Sequence, residues 1–331
     1  MSQELPPRRA APPPTGGEWG LIALLAALWA SSFPLAEVAL WSLPPLTVVL
    51  GRVALGAGAL ALLVRLRRLP WPRQPRVLGA LLVMGLLNNV LPFSLIVWGQ
   101  QHIDSGLASI LNATTPLFAV LLAQVLTRDE KLTASRLTGV LCGLAGVALI
   151  VGPGALAGVA GGGAGGGAGA GLLGELAVLA AALCYALAGI WGRRFRQLPP
   201  LVTACGMLSA STLVMLPLAL ALERPWLLRP SAESLAAVAA VALVGTAAAY
   251  LLYFRILRSA GATNLLLVTL LIPAGALSVG AGLLDEPLEP RALVGLAAIL
   301  VGLAVIDGRP RRWLAVRTGG RLRRGAGPPL P

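Results

Sequence analysis

Apolar runs of about 20 residues recur along the whole chain, each parted from the next by a short stretch of charge, proline or glycine. A run of that length, wound as an α-helix, crosses a hydrocarbon core of about 30 Å. One such run could be a buried helix of a soluble domain, but ten cannot. Boundaries set at charges, Pro and Gly place helices at 18–39, 45–64, 77–98, 105–126 and 134–152, and again at 172–192, 201–222, 235–256, 262–284 and 290–307. The expectation is an all-α membrane protein with ten transmembrane helices.

Composition agrees. Hydrophobic residues make up 57% of the chain and charged ones 12%, where a soluble domain carries about a quarter charged. The net charge of +13 would suggest a nucleic-acid ligand in a soluble protein. Here the basic residues fall in short segments between apolar runs, and topology explains them without a nucleic acid. With a cytoplasmic N-terminus, 22 of the 26 basic residues lie on the cytoplasmic side, three (Arg224, Arg229 and Arg291) lie outside, and Arg52 lies within helix two. The positive-inside rule then puts both termini in the cytoplasm. Cys142, Cys184 and Cys205 sit in apolar runs without zinc-site spacing, His102 has no second His or Cys beside it, and no P-loop is present. No metal and no cofactor are expected.

The two sets of five helices share a pattern. Glu130-Lys131-Leu132 with Gly139, Gly146 and Gly152 matches Glu286-Pro287-Leu288 with Gly295, Gly302 and Gly308 at an offset of 156 residues. Trp29 aligns with Tyr185, and Pro116 with Pro273 at an offset of 157. Two related units that each cross an odd number of times must lie in opposite directions, and such inverted repeats are characteristic of secondary transporters. The expected organisation is a disordered tail at 1–17, a first five-helix repeat at 18–152, a Gly/Ala-rich linker at 153–171, a second repeat at 172–307 and a basic cytoplasmic tail at 308–331.

Polar groups at membrane depth are costly unless they are paired or line a water-filled path. Trp29 and Ser32 in helix one, Asn88 and Asn89 in helix three, and Asn112 and Thr115 in helix four lie near helix midpoints. Tyr185, Thr246 and Tyr250 do so in the second half. These nine are the candidate substrate-binding residues for a small-molecule solute. Adjacent amides point about 100° apart on a helix, so Asn88 and Asn89 need separate partners, and helix-to-helix hydrogen bonds are the alternative to a site. Trp29 and Tyr185 suggest an aromatic wall or plain helix packing. Pro116 and Pro273 each remove a backbone hydrogen bond in matching helices and are the candidate hinges. The glycines of helices five and ten fit close packing. Arg52 either snorkels or anchors a substrate carboxylate. No Asp or Glu lies near a helix midpoint, which speaks against a proton relay on a buried carboxylate, and no catalytic cluster is visible.

Phe33-Pro34 after Trp29, the run from Gly106 through Asn112-Ala113-Thr114-Thr115-Pro116 to Phe118, and Glu130-Lys131-Leu132-Thr133 leading to Gly139 resemble the first EamA domain of the drug/metabolite transporter superfamily. Thr246 to Tyr253, Pro273, Glu286 and the glycines after it resemble the second copy. Asn112-Ala113-Thr114-Thr115 has no polar counterpart before Pro273. The resemblance implies a multi-pass carrier of the inner (plasma) membrane with a central cavity, exporting amino acids or similar small metabolites by alternating access. A homodimer is compatible with it. Two other readings stay open: a membrane-embedded enzyme acting on a lipid, and a membrane subunit that transports nothing.

Overall fold

The computed structural model describes residues 15–126, 133–160, 167–260, 265 and 267–307. Among them there is no strand. The helices are α1 (Gly16–Leu40), α2 (Pro45–Leu66), α3 (Pro75–Gly99) and α4 (Ser105–Leu126), then α5 (Ala134–Ala160) and α6 (Gly167–Trp191). They continue with α7 (Pro200–Leu222) and α8 (Ala232–Ser259), and with α9 (Leu267–Leu283) and α10 (Pro290–Asp307). Within the described residues eight helices, α1 to α8, are long and apolar enough to cross a membrane, while α9 and α10 are apolar but shorter. The tails at 1–14 and 308–331 lie outside the described residues, as do 161–166 of the Gly/Ala tract. The rest of that tract is helical where it was expected to be a flexible linker, α5 running on to Ala160 and α6 starting at Gly167. Its alanines favour helix and no polar side chain there competes for the backbone.

The outside of the bundle carries large apolar side chains, among them Leu62, Leu141, Leu149, Leu213 and Val301, each more than half exposed. Such a surface is normal against lipid and abnormal in water. Trp41 at the end of α1, and Trp71 and Trp226 in the connections between helices, stand exposed, where indole rings favour the membrane interface.

Among the described residues four helices are interrupted, three of them, α1, α3 and α4, just ahead of a proline. A proline lacks the N–H that would bond the carbonyl four residues back. The turn at Ser31 splits α1 three residues before Pro34, and Ala113–Thr114 splits α4 just before Pro116. The hydroxyl of Thr115 donates to the Asn112 carbonyl at 2.8 Å, replacing the bond that Pro116 cannot make. In α3 a π-helical turn spans Leu86–Val90 ahead of Pro92, and in α8 a second spans Leu243–Ala248. The two π turns begin 157 residues apart, the same separation as Pro116 and Pro273.

Helix α5 packs on α10 backbone to backbone. A Cβ on Gly139 would lie 2.5 Å from the Gly302 carbonyl oxygen, and one on Gly146 would lie 2.6 Å from that of Gly295. Glycine at these positions is what allows the approach. Elsewhere α1 packs on α8 and α9, α3 on α6 and α7, α2 on α7 and α8, and α4 on α6 and α9. Two apolar cores result, one around α1, α4, α9 and α10 and one around α2, α3 and α7, and Tyr185 packs against both.

Because consecutive helices run antiparallel, their connections gather at two ends. The α2–α3 and α6–α7 connections bring Arg65, Arg67, Arg68, Arg73, Arg193, Arg194 and Arg196 to a basic end. The opposite, acidic end holds Asp104, Glu223, Glu286 and Glu289.

Candidate functional site: a cavity between the two cores

A cavity of about 1570 Å³ runs between the two cores, from Arg136, Arg193 and Arg196 at the basic end to Ala36 and Gln100 beneath the acidic end. It is lined by Trp29, Ser32, Asn88, Asn112, Thr115, Tyr185, Thr246 and Tyr250, eight of the nine residues singled out in the sequence, and by Pro116. Asn89 stands apart. It is fully buried, its Nδ2 donating to Ser211 Oγ at 3.0 Å, while Ser211 donates in turn to the Met207 carbonyl at 2.7 Å. This is a contact between α3 and α7. The 100° between successive side chains thus gives one amide to the cavity and the other to packing. Asn88 donates to the Tyr250 hydroxyl at 2.9 Å, which joins α3 to α8. Pro273 is buried inside α9 and does not line the cavity.

Aromatic rings make up much of the wall. Trp29 meets Tyr253 with ring centroids 5.9 Å apart, Tyr185 meets Phe93 at 6.5 Å, and Phe254 lies against both Tyr250 and Tyr253. Trp29 and Tyr185 both face the cavity, each with a different partner. Phe93, Tyr253 and Phe254 were not picked out from the sequence, although Tyr250, Tyr253 and Phe254 follow the i, i+3, i+4 spacing of one helical face.

Arg52 also lines this cavity. Its Nε donates to Thr246 Oγ1 at 3.0 Å, and its guanidinium lies 3.7 Å over the Phe93 ring. Thr246, within the π turn of α8, is held by its own hydroxyl, which donates to the Val241 carbonyl at 2.9 Å. Snorkelling, one of the two readings open for Arg52, is not what the side chain does. Two acceptor oxygens on the cavity-lining side chains, Asn112 Oδ1 and Gln100 Oε1, are buried and take no hydrogen bond. Gln100 is fixed through its Nε2, which donates to the Phe33 carbonyl at 2.9 Å.

At the acidic end carboxylates cap helix starts. Glu286 accepts from the backbone N–H groups of Ser105 and Gly106, both at 3.0 Å, at the start of α4. Glu223 accepts from those of Leu46 and Thr47, at 2.8 and 2.6 Å, at the start of α2. Each satisfies orphan donors and the positive end of a helix dipole. Asp104, in the α3–α4 connection, has its carboxyl pushed above the ordinary range by burial and by the nearby Glu286 and Glu289. No group of three or more His, Cys, Asp or Glu able to hold a metal ion occurs among the described residues.

A bundle of apolar helices around a central cavity that is largely apolar and aromatic, with a few polar side chains reaching into it, is the architecture of a multi-pass membrane transporter. The EamA-like transporter family matches residues 18–152 and 172–307, and the chain belongs to that family. Relatives of the chain are named as transporters. The uncharacterized transporter YoaV of Bacillus subtilis is 25% identical over 83% of this chain and 91% of its own length. A protein named "probable terminal-alkyne amino-acid exporter" in Streptantibioticus cattleyicolor is 29% identical over 88% of this chain and 93% of its own. The inner membrane transporter YedA of Escherichia coli is 27% identical over 87% of this chain and 90% of its own. A solved crystal structure, 22% identical, shares the fold with a TM-score of 0.60 over 86% of this chain and 96% of that one.

Proposed function

We propose that this protein is a secondary transporter that exports small metabolites such as amino acids, with ten membrane-spanning helices in two inverted five-helix repeats, 18–152 and 172–307. The single observation that carries the reading is the central cavity, on which side chains from both halves converge. Helix packing supports the inverted repeat. Gly139 and Gly146 stand 156 residues before Gly295 and Gly302, yet Gly139 packs on Gly302 and Gly146 on Gly295. Contacts crossed in this way are the signature of a two-fold relation. The remaining pairs follow it: exchanging the halves turns α1–α8 into α6–α3, α1–α9 into α6–α4, and α2–α8 into α7–α3.

In this reading both termini are cytoplasmic, the arginine-lined mouth faces the cytoplasm, and the acidic end is the closed outer gate. Glu286 and Glu223, both from the second half, clamp the starts of α4 and α2 in the first. Rocking of the halves breaks these clamps and opens the cavity outward, with the break in α4 ahead of Pro116 and the hydrogen bond missing at Pro273 inside the continuous α9 taking up the bend. Trp29, Ser32, Asn88, Asn112, Thr115, Tyr185, Thr246 and Tyr250 contact the solute, and Asn89 supports Asn88 from behind. Export as the direction rests on the cytoplasmic mouth and on the exporter named among the relatives.

The test is counterflow in proteoliposomes over a broad metabolite panel. At least one solute is expected to exchange faster than in protein-free vesicles, and Asn88→Leu is expected to slow it about ten-fold. A panel in which nothing exchanges above the protein-free rate would overturn the reading.

A further inference from the structure

We infer that the group recognised in this cavity is a single carboxylate, held by Arg52, on a solute with an apolar or aromatic body. This rests on the transporter reading and narrows its substrate class. The charge of the lining comes first. The described residues around the cavity include Arg52, Arg136, Arg193 and Arg196 and no Asp or Glu. The cation deep in this lining is Arg52, and no acid among the described lining residues offers a cationic solute a counter-ion.

Arg52 itself comes second. It stands eight residues into α2, about 10 Å from that helix's start at 1.5 Å per residue. Among the described residues it forms no ion pair, and its one hydrogen bond is from Nε. A guanidinium at that depth is costly to keep unpaired. Thr246 fixes one edge of the group and Phe93 one face. The remaining edge, carrying the paired Nη groups, is the edge that grips a carboxylate with two parallel hydrogen bonds. The side chain is preorganised for that grip without an anion to complete it.

The surroundings set the rest of the solute. Trp29, Phe93, Tyr185, Tyr250 and Tyr253 line the same space, and rings of this kind bury apolar or aromatic bodies. One deep arginine matches one negative charge, which favours a monocarboxylate over a dianionic phosphate. An α-ammonium group finds ring faces and the unpaired Asn112 Oδ1, but no acid to require it.

The experiment is counterflow in proteoliposomes of the full chain with four probes of one shape: 3-phenylpropanoate, its amide, L-phenylalanine and phenethylamine. The expected result is that 3-phenylpropanoate exchanges at least as fast as L-phenylalanine, with the amide and the amine at least ten-fold slower. Arg52→Gln is expected to lose the carboxylate's exchange at least ten-fold, and Arg52→Lys to keep part of it. Thermal unfolding in detergent provides a readout apart from transport: 3-phenylpropanoate raises the Tm of the parent protein and leaves that of Arg52→Gln unmoved. Amide and acid exchanging equally, or Arg52→Gln moving the acid at the parent rate, would overturn the inference. Exchange of neutral or cationic solutes alone would sink it and leave the transporter reading standing; no exchange of any solute sinks both.

Discussion

At the acidic end Glu223 and Glu286 each meet two backbone N–H groups at a helix start, so their charge is matched by hydrogen bonds and a dipole. Arg52, inside the cavity, has one hydrogen bond, one aromatic face and no carboxylate partner among the described residues. The first arrangement is complete in the protein alone and serves to hold the halves together. The second is complete only with a further anion. Charge that is matched marks a structural clamp, and charge that is positioned but unmatched marks where a solute binds.

The strongest way to break that contrast is to reverse the cavity charge. Arg52→Glu is predicted to lower carboxylate counterflow at least about 100-fold, roughly 2.7 kcal/mol, and to admit phenethylamine; unchanged selectivity would remove Arg52 from recognition. Next in size is the pair of amides on α3. Asn88→Leu is expected to cut the transport rate about ten-fold with little change in folding. Asn89→Leu, which breaks a buried hydrogen bond to Ser211, is expected to cost about 1–2 kcal/mol of stability while each folded molecule still transports. Thermal unfolding and counterflow measured on both variants separate the two roles, and identical effects would erase the distinction.

Smaller again is the clamp. Glu286→Gln keeps the shape but loses the charge at the start of α4, a change of about 1 kcal/mol. It should lower Tm by a few degrees and favour the outward-open form. The smallest effect concerns Asp104. Its folded-state pKa is raised, so protonation favours the folded form: that contribution is present at acid pH and is lost as pH rises through the raised value. Asp104→Asn is therefore expected to raise Tm slightly at neutral pH and to flatten its fall between acid and neutral pH. Unfolding curves across that range check it, and a lower Tm for the variant at neutral pH would contradict it.

The sequence reveals the apolar runs, the paired glycines and most of the cavity, because hydrophobic length and polar residues at membrane depth are local signals. What it hides depends on partners far along the chain. Nothing near Glu286 or Glu223 says that their carboxylates cap α4 and α2, about 180 residues away. Asn88 and Asn89 are equivalent as letters; only the direction of the helix, within a π turn that Pro92 helps impose, sends one into the cavity. Arg52 is undecided between snorkelling and binding until Thr246 and Phe93 are seen around it. Phe93, Tyr253 and Phe254 pass for ordinary apolar filling, although the spacing in α8 carried the signal.

The central claim, that one cavity opens alternately to the two faces, is tested most directly by thiol accessibility. Cys142, Cys184 and Cys205 are replaced by alanine, and Ser32→Cys is introduced deep in the cavity. Oriented membranes are then treated with an impermeant thiol reagent from either face. The account predicts labelling from the cytoplasmic face, suppression of that labelling by a transported carboxylate, and new labelling from the outer face once Glu286→Gln loosens the clamp. Equal labelling from both faces throughout, as a continuous pore would give, or labelling that neither solute nor Glu286→Gln alters, would contradict it.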